Sequence, residues 1–204
     1  MNKTLLTIAA GSALVAGLIA ANTADAHEPS ARATLTTATG TEIGTVEFRT
    51  HKGHTEVRVR LEGAPGPTDA FHGFHIHAND DASLSPGNGV GCVTHATDPT
   101  KAFLSADGHF NPTDPPAVHG DHVGDMPVQY VNSDGSVESR FRIDAINPAD
   151  LDNRVVILHA GADNYNNIPL GELPTQYTDN GEAAAATAKT GNAGNRAACG
   201  VIHL

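Results

Sequence analysis

The stretch from Val128 to Ile143 constrains this chain most. Val128-Gln129-Tyr130-Val131 and Val137-Glu138-Ser139-Arg140-Phe141-Arg142-Ile143 alternate apolar and polar residues on either side of Asn132-Ser133-Asp134-Gly135. Asp-Gly between two alternating runs is a strong signal for a β-hairpin. Other runs of the same kind lie upstream. Ala33 to Ala38 is Thr-rich and alternating, Gly40 turns the chain, and Ile43, Val46 and Phe48 mark the next run. Val57-Arg58-Val59-Arg60-Leu61 alternates apolar with charged residues, as a half-exposed strand does. Val155-Val156-Ile157-Leu158 is continuously apolar, the pattern of a strand covered on both sides or lying at a sandwich core. No long segment carries helical periodicity; the best helical candidate is the short Ala-rich piece Glu182 to Thr187.

Many short strands separated by turn signals predict an all-β domain, an antiparallel sandwich or barrel. Two segments do not fit the strand pattern, Asn79 to Asp125 and Gly161 to Asn195. Both are rich in Gly, Pro, Asn and Asp. Long structured loops on a β scaffold usually carry function.

The first residues stand apart from the fold. Lys3 precedes an apolar run from Leu5 to Ala21, and Ala24-Asp25-Ala26 is a small-x-small cleavage site. This is the pattern of a secretory signal peptide over residues 1–26, with the mature domain over 27–204. The run is short for a retained membrane anchor. The formal charge is −11, and cleavage leaves it unchanged because Lys3 and Asp25 leave together. So acidic a chain is a poor nucleic-acid binder. Export also bears on Cys92 and Cys199: an even pair in an oxidising compartment favours a disulfide over two unrelated thiols.

The chain holds 12 histidines and no tryptophan. His75 and His77 are two apart and face the same way if their segment is a strand. His109 precedes Phe110-Asn111-Pro112, His119 follows, His122-Val123-Gly124-Asp125 is an H-x-x-D run, and His159 ends the apolar run at 155–158. Six imidazoles with one carboxylate suit copper or zinc, whereas calcium and magnesium want oxygen ligands.

With these segments together, the chain resembles the copper/zinc superoxide dismutases, in particular their exported bacterial members. The resemblance rests on His72-Gly73-Phe74-His75-Ile76-His77, Gly91-Cys92, His109-Phe110-Asn111-Pro112, His122-Val123-Gly124-Asp125, His159-Ala160-Gly161-Ala162-Asp163-Asn164 and the run from Thr190 to Ile202. It implies an Ig-like antiparallel Greek-key β-sandwich or barrel with two long functional loops. It implies that copper and zinc are cofactors and that superoxide anion is the substrate, converted to dioxygen and hydrogen peroxide. Copper falls to His75, His77, His109 and His159, and zinc to His109, His119, His122 and Asp125, with His109 bridging both. Asp163 becomes the carboxylate linking the two ligand sets, Arg196 the cation beside the copper and Thr190 the other wall of the entrance. His72 becomes a buried structural histidine and Cys92–Cys199 the family disulfide. The resemblance also implies a periplasmic or secreted enzyme protecting against superoxide outside the cytoplasm, without stable membrane insertion after cleavage; monomer and homodimer both stay open.

Two places depart from the family pattern. Only Gly120 and Asp121 separate His119 from His122, where family members have a longer spacer, so Asp121 is an alternative ligand. The steering loop reads Glu182 followed by four alanines, Thr187, Ala188 and Lys189, which leaves Lys189 and Arg196 as its cations. His27, His51, His54, His95 and His203 match no ligand and are expected on the surface. A copper or zinc store on the same scaffold, without turnover, would need neither Arg196 nor Asp163, and an adhesive domain would not need the histidine set.

Overall fold

A computed structural model describes residues 30–80, 91–95, 97–113, 116–165, 170–171, 177–178 and 181–204. The expected signal-peptide segment 1–26 and His27 lie outside the described residues. The strands are β1 (Ala31–Thr37), β2 (Glu42–His51), β3 (His54–Leu61), β4 (Ala70–His72), β5 (Phe74–His77), β6 (Gln129–Val131), β7 (Val137–Ile143), β8 (Val155–His159), β9 (Leu170–Gly171), β10 (Tyr177–Thr178) and β11 (Arg196–His203). Among the described residues one α-helix, α1 (Gly181–Thr190), contains and extends the predicted piece Glu182 to Thr187. Among the described residues no helix is long and apolar enough to cross a membrane.

Seven strands form one antiparallel sheet in the order β5-β8-β11-β1-β2-β3-β7. Period-two alternation builds it. Leu35, Val46, Phe48, Val57 and Val59 are fully buried in one core cluster, while Arg32, Arg58 and Arg60 on the other face meet solvent to varying degrees. The β2–β3 hairpin turns at Lys52 and Gly53, both at positive φ (44° and 87°), as a two-residue type I′ turn requires.

The predicted hairpin after Val128 forms only at its turn. Gly135 takes a positive φ of 80°, and its N–H donates to the Asn132 carbonyl at 2.9 Å. The strands then part. β7 runs along β3 for seven paired residues, whereas β6 pairs with β4 in a separate two-stranded sheet. The reason is topological. β5 and β7 are the two edges of the long sheet. β4 continues through Gly73 into β5, and β6 turns into β7, so the small pair joins one edge to the other and closes the curled wall. The all-β antiparallel Greek-key expectation is thereby borne out.

β8 is covered on both sides, as its unbroken apolar run predicts. Val156 and Leu158 face the barrel core. Val155 and Ile157 pack outside it with Ala102, Phe103, Ala106 and Cys199. That outer cluster is built by the first long loop, which folds two 3-10 turns, Pro99–Lys101 and Leu104–Ala106, against the sheet. The Cys92–Cys199 disulfide ties the same loop to β11 across 107 residues of chain. Closing so long a loop lowers the entropy of the unfolded chain by an amount worth about 4–5 kcal/mol. Strand β11 was not marked by alternation in the sequence, yet it lies centrally, between β8 and β1.

Candidate metal centre

His75 and His77 alternate with Phe74 and Ile76 on β5. The phenylalanine and isoleucine enter the barrel core, so both imidazoles point to the outer face. His159, the last residue of β8, stands on that face as well, continuing the series Val155 and Ile157. The edge of β5 then positions two more groups. His109 pairs with His77 and Asp125 with His75 in isolated bridges. Three backbone bonds of 2.8 Å stitch the loop there: Phe110 N–H to Ile76, Ile76 N–H to Gly124 and Gly124 N–H to Phe110. A Cβ on Gly124 would lie 2.3 Å from the Ile76 carbonyl oxygen, so only glycine allows this approach.

His75, His77, His109 and His159, all buried, bring one nitrogen each to within 4.8 Å of the others. These nitrogens are His75 Nδ1, His77 Nε2, His109 Nε2 and His159 Nε2, and all four are buried without a hydrogen-bond partner. The opposite ring nitrogens of three are engaged: His77 Nδ1 donates to the Asp107 carbonyl at 2.7 Å, His159 Nδ1 to Gly194 at 3.1 Å, and His75 Nε2 to Asp163. Each such bond fixes the tautomer and leaves a lone pair pointing inward. Burial, with the charge of Arg196 and the other imidazoles, holds His77 and His159 well below the ordinary histidine pKa. His109 is lowered to about 3, chiefly by burial and against its bond to Asp125. Neutral imidazoles with unshared lone pairs are metal ligands, and an unpaired buried nitrogen otherwise costs roughly 1–3 kcal/mol. The donor set fits copper.

A second group shares His109. Its Nδ1 lies 2.8 Å from Asp125 Oδ1 and 3.3 Å from His122 Nδ1. His119 Nδ1 and His122 Nδ1 each lie 3.3 Å from the same carboxylate oxygen. An ion held tetrahedrally at about 2.0–2.1 Å has ligand atoms about 3.3–3.4 Å apart, so this set fits zinc. The other Asp125 oxygen accepts the N–H groups of Gly120 at 2.7 Å and His122 at 3.1 Å. The short spacer works because Asp121 closes a tight turn onto Val118 (3.0 Å). Asp121 itself is exposed and stands outside the group.

Asp163 joins the two groups. One oxygen accepts His75 Nε2–H and the other His119 Nε2–H, the latter at 2.8 Å. His75, His119 and Asp163 also lie close enough to hold an ion, but two ring N–H donors on two carboxylate oxygens make this a hydrogen-bonded link. Burial opposes the charge on Asp125 and Asp163, yet the histidine hydrogen bonds hold both below the usual carboxylate range. Burial also pulls His119 down, and its bonds to Asp125 and Asp163 outweigh it, raising the group to about 9. Gly191, at φ 67°, roofs this link: a Cβ there would lie 1.9 Å from Asp163 Oδ1.

Arg196, whose charge acts on His77 and His159, donates to the Phe103 and Asp107 carbonyls, the latter also accepting from His77. Burial lowers it to about 10, so it stays cationic at neutral pH. Thr190 ends α1, its hydroxyl bonded to the Ala186 carbonyl at 3.2 Å. Lys189 is exposed. His72 is fully buried, with its ring nitrogens 2.6 Å from the His159 carbonyl and 2.8 Å from the Pro67 carbonyl. His51, His95 and His203 are on the surface as expected, but His54 is half-buried and its Nε2 has no partner. The sequence reading missed Asp107, which acts through its carbonyl, and Gly120, Gly124 and Gly191, where a missing side chain is the functional feature. None of these carries a residue-type signal.

A family profile described as copper/zinc superoxide dismutase (SODC) matches residues 42–202. The superoxide dismutase [Cu-Zn] of Mycolicibacterium paratuberculosis is 34% identical over 199 residues, covering 94% of this chain and 82% of the relative. That of Deinococcus radiodurans is 30% identical, covering 93% of each. Among solved structures, a Cu/Zn superoxide dismutase from Brucella abortus superposes with a TM-score of 0.58 at 25% identity, covering 84% of this chain and 98% of that one.

Proposed function

The chain belongs to the copper/zinc superoxide dismutase family, and from that premise we propose which of its residues perform the dismutation. Copper is held by His75, His77, His109 and His159, and zinc by His109, His119, His122 and Asp125. The observation that carries the copper assignment is the set of four buried, unpartnered imidazole nitrogens within 4.8 Å of one another.

Copper, when bound, supplies the one-electron couple that oxidises one superoxide to dioxygen and reduces a second to peroxide. The residues do the rest. The Asp107 and Gly194 carbonyls and Asp163 hold three imidazoles in the ligating tautomer. His109 faces the two groups with different nitrogens, so with zinc at Nδ1 its Nε2 would be free to hold a proton. That proton and one from solvent make hydrogen peroxide. The Arg196 guanidinium draws the anionic substrate and orients it. Local field governs such steering, so a net charge of −11 does not oppose it.

The mature domain is 27–204, released by cleavage after Ala26. It works outside the cytoplasm, where the Cys92–Cys199 disulfide is stable, and it removes superoxide there. The test is the dismutation rate of mature protein loaded with both metals, alongside Arg196→Ala. The variant is expected to lose about tenfold in rate and most of its dependence on ionic strength. One copper bound at the four histidines without turnover would mark a metal store instead.

A further inference from the structure

Tyr165 stands where three pieces of the zinc-type group meet. Its ring is stacked on His119, 6.1 Å between centroids and 9° from parallel. Its hydroxyl donates to the Met126 carbonyl at 2.9 Å and accepts the Val128 N–H at 2.7 Å. Its own N–H donates to Asp163 Oδ1 at 2.6 Å, the oxygen that also receives His119 Nε2–H. Its carbonyl backs onto Gly120: a Cβ there would lie 2.7 Å from it. The residue takes a positive φ of 53° to make all four contacts, a conformation costly for a bulky side chain unless its surroundings enforce it.

These contacts answer a mechanical problem that the local sequence poses. His119 and His122 sit on a tight turn with only Gly120 and Asp121 between them. Asp125 and Met126 lie in the return of the loop, and Asp163 arrives from the end of β8. Within the loop the His119 ring meets His122 edge-on and its Nδ1 lies 3.3 Å from Asp125; further support comes from outside it. One face of that ring meets Tyr165, and its Nε2 is held by Asp163, whose Oδ1 is in turn held by the Tyr165 amide. The hydroxyl anchors the assembly to the backbone just after Asp125.

We propose that Tyr165 is a positioning residue for zinc: it sets the ring of His119 and the carboxylate of Asp163, so that zinc is retained through it. The inference rests on the zinc assignment above. It concerns the hold on zinc and leaves copper binding to the strand-borne histidines.

The experiment compares wild type, Tyr165→Phe, Tyr165→Leu and His122→Ala as copper- and zinc-loaded full mature chains. Zinc transfer to a chromogenic chelator is timed, cobalt(II) substituted for zinc is read by its visible spectrum, and melting is followed with and without metals. Tyr165→Phe should release zinc about fivefold faster, from loss of the hydroxyl bonds. Tyr165→Leu should release it at least about tenfold faster, with a changed cobalt spectrum and an unchanged copper band. The gap between metal-loaded and metal-free melting should narrow in both. Wild-type release rates in the Tyr165 variants would overturn the inference while leaving the zinc assignment standing, and so would equal loss of melting temperature with and without metals. Zinc held as tightly by His122→Ala as by wild type would overturn the assignment itself, and the inference with it.

Discussion

The two halves of the metal centre are held in different ways. The copper-type half stands on strands: His75 and His77 on β5 and His159 on β8, with outer nitrogens bonded mostly to backbone carbonyls. The zinc-type half stands on a loop, and its outer contacts are carboxylates, a tyrosine and tight turns. A ligand on a buried strand keeps its place because the sheet holds it. A loop ligand keeps its place only while its mutual contacts persist. The two halves should therefore respond differently to the same insult.

Metal removal is the widest test of that difference. Four buried imidazole nitrogens of the copper-type group, on His75, His77, His109 and His159, have no partner from the protein, so chelation should lower the melting temperature by well over about 10 °C. Amide exchange should rise first in residues 109–125 and only later in β5 and β8. Equal loss of protection in both would end the contrast.

Cys92→Ser removes a covalent tie that serves the loop wall and spares the strands. We expect about 4–5 kcal/mol from loop-closure entropy, measured by denaturant unfolding of the metal-loaded protein. Reduced m-value with β8 still protected would sharpen the contrast, since the outer cluster around Phe103 would open by itself.

Gly191→Ala acts on the carboxylate link alone. The new Cβ would collide with Asp163 Oδ1 and crowd His119 Nε2, 2.5 Å away. Zinc affinity should fall by about 10- to 100-fold, read by competition with a chelator, while copper affinity changes several-fold less, through His75. Equal losses of both metals would show that Asp163 supports the halves alike.

Glu56→Gln is the smallest perturbation and lies on the far outer face, where Glu56 pairs with Arg140. The pair is largely exposed on its arginine side, so melting should shift little and neither metal affinity should move. The Arg140 hydrogen bond lowers the Glu56 pKa. Whatever stability it adds is present above the ordinary carboxylate pKa and is lost as pH falls through the lowered one. The difference between wild type and variant should vanish there in an acid melting series.

Legibility in the sequence follows the same division. Local periodicity was enough for β1, β2, β3, β7 and β8, and for the outward pairing of His75 with His77, because strand geometry repeats every two residues. The double coverage of β8 was visible in its unbroken apolar run. Strand β11 was not, since Ala198, Cys199 and Gly200 are small residues whose place is decided by close packing; a Cβ on Gly200 would meet the Thr34 carbonyl oxygen at 2.6 Å. The hairpin signal at Asp134-Gly135 specified a turn and could not specify where the strands beyond it would find partners.

The sequence by itself determined an all-β chain and the inventory of histidines and carboxylates, and family resemblance supplied the expectation of how these divide between two metals. Tertiary structure alone decided that Gly191 roofs the Asp163 link, that Asp121 turns to solvent, that Arg196 is braced on two carbonyls, and that Tyr165 lies against His119. Each of these joins residues from segments distant in the chain, or uses a backbone atom or the absence of a side chain. Periodicity and residue type record what a segment prefers next to itself; contacts of this kind exist only once the barrel has closed and brought its loops together.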